Sequence, residues 1–339
     1  MRRYKRILAA FLSVMMLSAT SVTTAFAEDI PESEMVQGTE MLVAGMPMTR
    51  NAETTEVVFA EDVPEIGGES TGIMVEAIPI TDPEFKSPTG IIGDFGDFTD
   101  NSVDPLAVDD LTVIKGSALF REREVGAHYY AFSTYSASYT SAFANIQLPT
   151  GFNNGGNLRN GFVCLGIYGS DHGIDLGLIN KGGGWIPYHY DVGHGTAYTY
   201  PDVYKAPSTA TNAIITVKPV NTTTVHMYVQ FTNSAGSYVG TPLDTDIRVS
   251  AGNLTTASNG RINCRFYRFA SLVPYGSDNQ SDGTYMTGGR SLYCQLYNGS
   301  SYVGWGKDSS TMQNVWKISS DKISLSFAGN NDTYSIRHR

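Results

Sequence analysis

The densest concentration of groups able to do chemistry lies between Tyr168 and Tyr204. It holds Asp171-His172-Gly173-Ile174-Asp175, then Gly182-Gly183-Gly184-Trp185-Ile186-Pro187-Tyr188-His189-Tyr190-Asp191, then His194, Tyr198, Tyr200 and Tyr204. Aromatic faces stack on the C–H faces of sugar rings, while carboxylate, amide and imidazole groups hydrogen-bond the hydroxyls. Such sites are mostly apolar with a few placed polar groups. Trp185, Tyr188, His189, Tyr190, Asp191 and His194 are therefore the candidate ligand-binding residues, for an extracellular carbohydrate. The same aromatics could simply cover a sheet edge, as amphipathic rings often do.

Catalytic patterns are harder to find. Glycosidases need two carboxyl groups across the scissile bond, yet residues 105–339 contain only Glu122 and Glu124, inside Arg121-Glu122-Arg123-Glu124. That pattern suits a solvated charge ladder. Asp171 and Asp175 stand four apart and would share a face of an extended chain. A polysaccharide lyase needs instead a His or Tyr base and a neutralising cation, roles for which His189, Tyr190 and Arg265 are available. His189-x-Asp191-x-x-His194 has metal-binding residue types, with Asp171 or His172 as a third ligand, but hydrogen-bonded loop histidines explain it as well. Asp278-Asn279-Gln280-Ser281-Asp282-Gly283 could hold a structural calcium, though it lacks the distal bidentate Glu of an EF-hand and reads equally as a turn. No catalytic residue, resident metal or other cofactor is assigned. Cys164, Cys264 and Cys294 each sit in apolar surroundings that suit buried, inert thiols; a Cys264–Cys294 bridge requires those strands to be neighbours.

The elements that must position these groups read as β. Over residues 105–339, Tyr, Val, Ile, Phe and Thr are interrupted every eight to twelve residues by Gly, Asn, Asp and Ser, which is the pattern of short strands. Strands are expected at His128–Ser136, Ser141–Leu148, Gly161–Gly169, Ile174–Asn180 and Ala213–Pro219. Others follow at Val225–Asn233, Asp246–Ser250, Arg261–Phe269, Ser291–Tyr297 and Lys322–Ala328. Only Thr311–Ile318 reads as a short helix, capped by Ser309 or Ser310. Two similar stretches, Tyr228 to Gly240 and Tyr293 to Gly304, each read as a hairpin across a small-residue turn. The expected fold is all-β, an antiparallel β-sandwich of jelly-roll type. In strand number, spacing and aromatic content it resembles the concanavalin-A-like lectin and glucanase sandwiches, and that resemblance implies no particular site residue.

Residues 1–27 have the form of an export leader. Arg2, Arg3, Lys5 and Arg6 precede an apolar run from Ile7 to Leu17, and Ala25-Phe26-Ala27 offers a signal-peptidase site. The run falls short of the roughly 20 residues a membrane span needs. Residues 28–104 carry 18 Asp and Glu against Arg50 and Lys86 and hold no Trp, Tyr or Cys. Low hydrophobicity with high charge predicts a largely disordered acidic spacer or propeptide. The remaining 105–339 carries 17 basic and 15 acidic residues, with no basic stripe, which argues against nucleic acid. With no apolar tail or wall-sorting motif, no membrane association is expected after leader cleavage, and the chain resembles a freely released protein of a Gram-positive bacterium. The sequence thus predicts a secreted, non-catalytic binding protein for an extracellular glycan. Two other readings stay open: an adhesin for a host surface protein such as immunoglobulin, since Tyr and Ser also serve protein partners, and a lyase or glycoside hydrolase.

Overall fold

The computed structural model describes residues 40–43, 46–50, 57–59, 70, 72–83, 85–89, 126–155, 159–274, 283–307, 309–318 and 322–337. The leader, Glu122, Glu124 and most of the expected calcium loop lie outside them. Three short strands, β1 (Glu40–Val43), β2 (Met46–Arg50) and β3 (Val57–Phe59), form an antiparallel meander. The next are β4 (Ile78–Pro79), β5 (Ala127–Ser133), β6 (Ser141–Gln147), β7 (Gly151–Asn153), β8 (Arg159–Tyr168) and β9 (Gly173–Asn180). They are followed by β10 (Trp185–Asp191), β11 (Thr196–Thr199), β12 (Asn212–Asn221), β13 (Thr224–Thr232) and β14 (Tyr238–Arg248). Two short strands, β15 (Thr255–Thr256) and β16 (Ile262–Asn263), pair with each other. The chain closes with β17 (Arg265–Pro274), β18 (Tyr285–Tyr297), β19 (Tyr302–Gly304), β20 (Met312–Ile318), β21 (Ile323–Ala328) and β22 (Asn331–Arg337).

Two large sheets result. One runs β20-β5-β17-β8-β9-β10-β11-β4, the other β14-β13-β12-β6-β18-β22-β21, with β7 and β19 also paired to β18. Every large-sheet pairing is antiparallel, as the alternation predicts. Inward residues of both sheets meet in one core that includes Val163, Leu165, Leu176 and Leu178 from one side and Ile146, Ile215, Val217 and Leu296 from the other. The two expected hairpins form as β13–β14 and β18–β19. Sheet-facing alternation is plain in β21, where Ile323 is buried and Ser324, Ser326 and Ala328 are exposed.

One expectation needs correction. The segment read as a helix is strand β20, the edge strand hydrogen-bonded along β5. A register shift between Met312 and Asn314 breaks the period of two, so Met312 packs in the inter-sheet core and Trp316 in the cluster on the opposite side. Within the stretch read from composition as a solvated chain, residues 72–83 and 85–89 hold defined positions against the sandwich. Ile73 accepts a hydrogen bond from Asp246 N at 2.8 Å, β4 pairs with β11, and Ile80 N donates to Ala197 O at 2.8 Å.

One polar group ties the two sheets through the core. Arg268 on β17 donates from Nε and Nη2 to the two carboxylate oxygens of Asp332 on β22, at 2.6 and 2.8 Å. The guanidinium lies 4.5 Å over the Trp305 ring, and Tyr129 donates to Asp332 from its hydroxyl at 3.4 Å. Both charged groups are fully buried, so each requires the other.

Candidate functional site

The residues singled out from sequence do not converge. Along β10 successive side chains point to opposite faces, and both faces are covered. Trp185 packs into the inter-sheet core, whereas Tyr188 packs into a separate aromatic cluster on the outer face of the eight-stranded sheet. His189 is buried on the inner side, stacked on Tyr198 with ring centroids 4.7 Å apart, and its Nδ1 lies 3.0 Å from the Tyr200 hydroxyl. Burial pulls its pKa down to about 4, so it is neutral in the fold. Tyr190 faces outward with Tyr188.

Asp191 organises a loop junction instead of a binding surface. It accepts hydrogen bonds from Ser250 N at 2.6 Å and Gly193 N at 3.0 Å, and its carboxylate is 3.0 Å from His172 Nε2 and 3.3 Å from His194 Nδ1. Burial would raise its pKa, but these hydrogen bonds prevail and hold it below the usual carboxylate value. Ser250, His172 and Asp191 have the composition of a nucleophilic triad without its geometry. The serine hydroxyl (2.7 Å) and the carboxylate (3.0 Å) both contact the same imidazole nitrogen, Nε2. A working triad places them on opposite nitrogens. Among the described residues no group of three or more His, Cys, Asp or Glu could hold a metal ion. Arg265 lies over the rings of Phe132 and Tyr168, each within 5 Å, on the face opposite His189, so the lyase arrangement does not form. All three cysteines are buried free thiols. Burial pushes Cys264 and Cys294 up to about 12, which leaves them protonated and unreactive.

The arrangement with chemical potential centres on Asp175. It lies on β9, on the outer face of the eight-stranded sheet, between Gly166 of β8 and Tyr190 of β10. Around it that face is paved with Tyr130, Phe132, Phe162, Tyr188, Tyr267, Phe269 and Trp316. Glycines open the floor near the carboxyl group. A Cβ on Gly166 would fall 2.2 Å from the Tyr267 ring, and one on Gly173 would meet both Thr89 and the Tyr267 hydroxyl. Tyr267 can therefore lie across β8 and donate its hydroxyl to Asp175 Oδ1 at 2.8 Å.

The remaining partners of Asp175 come from far upstream. Ser87 Oγ donates to Oδ2 at 3.1 Å, Thr89 N donates to Oδ2 at 3.4 Å, and the Thr89 hydroxyl donates to Oδ1. Phe85 sets its ring against Phe162 and Tyr188, at centroid separations of 6.3 and 6.2 Å. Among the described residues no cation pairs with Asp175. Burial pushes its pKa up to about 6, and the hydrogen bonds from Thr89, Tyr267 and Ser87 oppose that rise. A carboxyl group tuned to this range, buried among aromatic rings, can give and take a proton near neutrality.

Asp175 was visible in the sequence only as a possible partner of Asp171. The structure separates the two: Asp171 lies in the preceding loop, its N–H bound to Asn253 Oδ1. Tyr267, Ser87 and Thr89 carried no local signal. Gly173 and Gly177, spaced to lie on the face of Asp175, were the available hint of an open floor.

No protein-family model matches the chain, and no curated protein matches it in sequence. Solved structures match it in outline. Scytalido-glutamic peptidase bound to a transition-state analogue inhibitor matches with 11% identity and a TM-score of 0.41, over 62% of this chain and 98% of that one. SCP-B, a member of the eqolisin family of peptidases in complex with the tripeptide Ala-Ile-His, matches with 12% identity and a TM-score of 0.40, over the same shares. A protein of unknown function from Shewanella oneidensis MR-1 matches more distantly, with 13% identity and a TM-score of 0.25, over 44% of this chain and 64% of that one. The expectation of a non-catalytic carbohydrate-binding protein is corrected: the residues it relied on are divided between two covered faces.

Proposed function

We propose that this chain is an exported hydrolase of polypeptides in which Asp175 is the acid–base group. The observation that carries the reading is a buried carboxyl with no counter-cation among the described residues, set among aromatic rings against which a length of polypeptide, residues 85–89, is already seated. A cleft that accommodates residues 85–89 of its own chain has the shape and the polar partners to take peptide.

In this reading a water molecule takes the place of the Ser87 and Thr89 hydroxyls. Asp175 removes a proton as the water oxygen attacks the amide carbonyl carbon. The C–N bond then breaks, and the same proton passes to the departing amine, so the carboxylate is regenerated. Tyr267, donating to Oδ1, fixes the rotamer of the carboxyl group. Tyr190, directly across from Asp175 in the β9–β10 register, is the neighbouring hydroxyl available to the carbonyl oxygen. Export is proposed on the leader-like residues 1–27; among the described residues no helix is long and apolar enough to cross a membrane.

The test is cleavage of a mixed-sequence peptide pool, followed by mass spectrometry between pH 3 and 8. The chain carries Ser87→Ala and Thr89→Ala, to loosen the bound segment. Cleavage that disappears on adding Asp175→Asn supports the reading. Cleavage that survives Asp175→Asn removes Asp175 from the chemistry.

A further inference from the structure

Residues 70, 72–83 and 85–89 form a strap along the sandwich. Hydrogen bonds anchor its start: Ser70 Oγ donates to Asp246 Oδ2 at 2.5 Å, Asp246 N to Ile73 O at 2.8 Å and Val75 N to Thr245 Oγ1 at 2.9 Å. Farther on, Ile78 and Pro79 lie against the β11 edge. Meanwhile Ile73, Met74 and Ile78 leave half or more of their surface in solvent. Burial of apolar surface is the dominant stabilising term in packing, and the strap contributes Val75 and Ala77 to the inter-sheet core and Ile80 and Phe85 to the outer cluster as partly buried side chains. Only its last described residues enter the cleft. There Ser87, Thr89 and Tyr267 supply four donors to one carboxyl group, about the full acceptor capacity of a carboxylate. A carboxylate so occupied has no lone pair left for a water molecule.

We infer that residues 85–89 are a tethered ligand of the cleft: Phe85 fills a subsite for an aromatic side chain made by Phe162 and Tyr188, and Ser87 and Thr89 close off Asp175. The inference deepens the hydrolase reading and specifies its substrate class, polypeptides that present an aromatic residue to this subsite. It also makes the intact chain latent. A tethered segment acts at an effective concentration in the millimolar range, so free peptide competes poorly until the strap is loosened.

The experiment compares the full chain with its Ser87→Ala/Thr89→Ala variant. Three readouts are taken: amide hydrogen exchange over residues 73–89, cleavage of the peptide pool, and binding of a fluorescein-labelled synthetic peptide of residues 80–89. The expected result is protected strap amides and neither binding nor cleavage in the unsubstituted chain. In the variant, strap exchange accelerates at least tenfold, the labelled peptide binds, and the same peptide with Phe85→Ala binds at least tenfold more weakly. Binding of this kind without any cleavage would support the tethered ligand and overturn the hydrolase reading alone. Strap amides that exchange equally fast in both proteins would overturn the tether. So would a released strap whose cleft binds the labelled peptide and its Phe85→Ala form equally well.

Discussion

The eight-stranded sheet buries an acid on each of its faces, and the two are stabilised in opposite ways. On the inner face, Asp332 meets the forked guanidinium of Arg268, so two charges enter the core as a pair. On the outer face, Asp175 meets, among the described residues, hydroxyls and one amide N–H. Compensation by a cation fixes a group in its charged state. Compensation by dipoles leaves the protonation state open, and the pKa of Asp175 moves to about 6. The first arrangement suits a permanent tie between sheets, the second a group whose proton can move.

Removing one partner of the inner pair is the most disruptive test of this contrast. Arg268→Met strands a buried carboxylate and is expected to cost about 3–5 kcal/mol, measured as a lower urea midpoint with an unchanged slope. Asp175→Asn removes no counter-charge, and its midpoint at pH 7 should be unchanged or higher. A large loss at Asp175 would erase the distinction between the two acids.

The outer acid also predicts a pH signature. Its folded pKa lies above the ordinary value of 3.8, so the folded state holds its proton more tightly than the unfolded chain does. The stability this provides is present below about pH 4 and is lost as pH rises to about 6. His189 behaves in the opposite sense: with its folded pKa depressed from 6.5 to about 4, its contribution is present above pH 6.5 and is lost as pH falls. Moving a pKa by about 2 corresponds to roughly 3 kcal/mol. Asp175→Asn should therefore expose stability that falls on acidification between pH 6 and 4, and His189→Gln stability that rises over the same range. Urea titrations at pH 4, 5 and 6 that leave both slopes unchanged would show that neither group titrates as its burial implies.

A subtler probe is Gly166→Ala. The new methyl group would press on the Tyr267 ring, which is confined among Phe132, Tyr130 and Phe269. Overpacking of this kind costs about 1–3 kcal/mol. The tyrosine must tilt away from Asp175, which would also lower peptide cleavage by the strap-loosened variant. A neutral effect on both would mean the floor of the cleft is softer than the core.

The sheets were legible because alternation and turn residues are local signals, as in Ile214 to Pro219 and in the two Tyr-Val-Gly hairpins. The β20 strand was not, because a register shift near Gln313 disrupted the one period that identifies strands. The site was misread for a related reason. Trp185, Tyr188 and His189 are neighbours in sequence, and a strand covered on both sides sends neighbours apart. Asp175 and its donors Ser87, Thr89 and Tyr267 are separated by 86 to 92 residues, a distance at which spacing carries no information.

The two-residue strand β4 has a consequence for the chain once the strap moves. Ile78 and Pro79 are the outermost rung beyond β11, and a proline there is well placed to stop further strands from joining. Lifting the strap to free the cleft also strips that terminator from the sheet. The backbone N–H and C=O groups of Thr196–Thr199 then become an open template, so an unmasked molecule gains a tendency to recruit a strand from its neighbour, and colloidal stability is exchanged for access to Asp175.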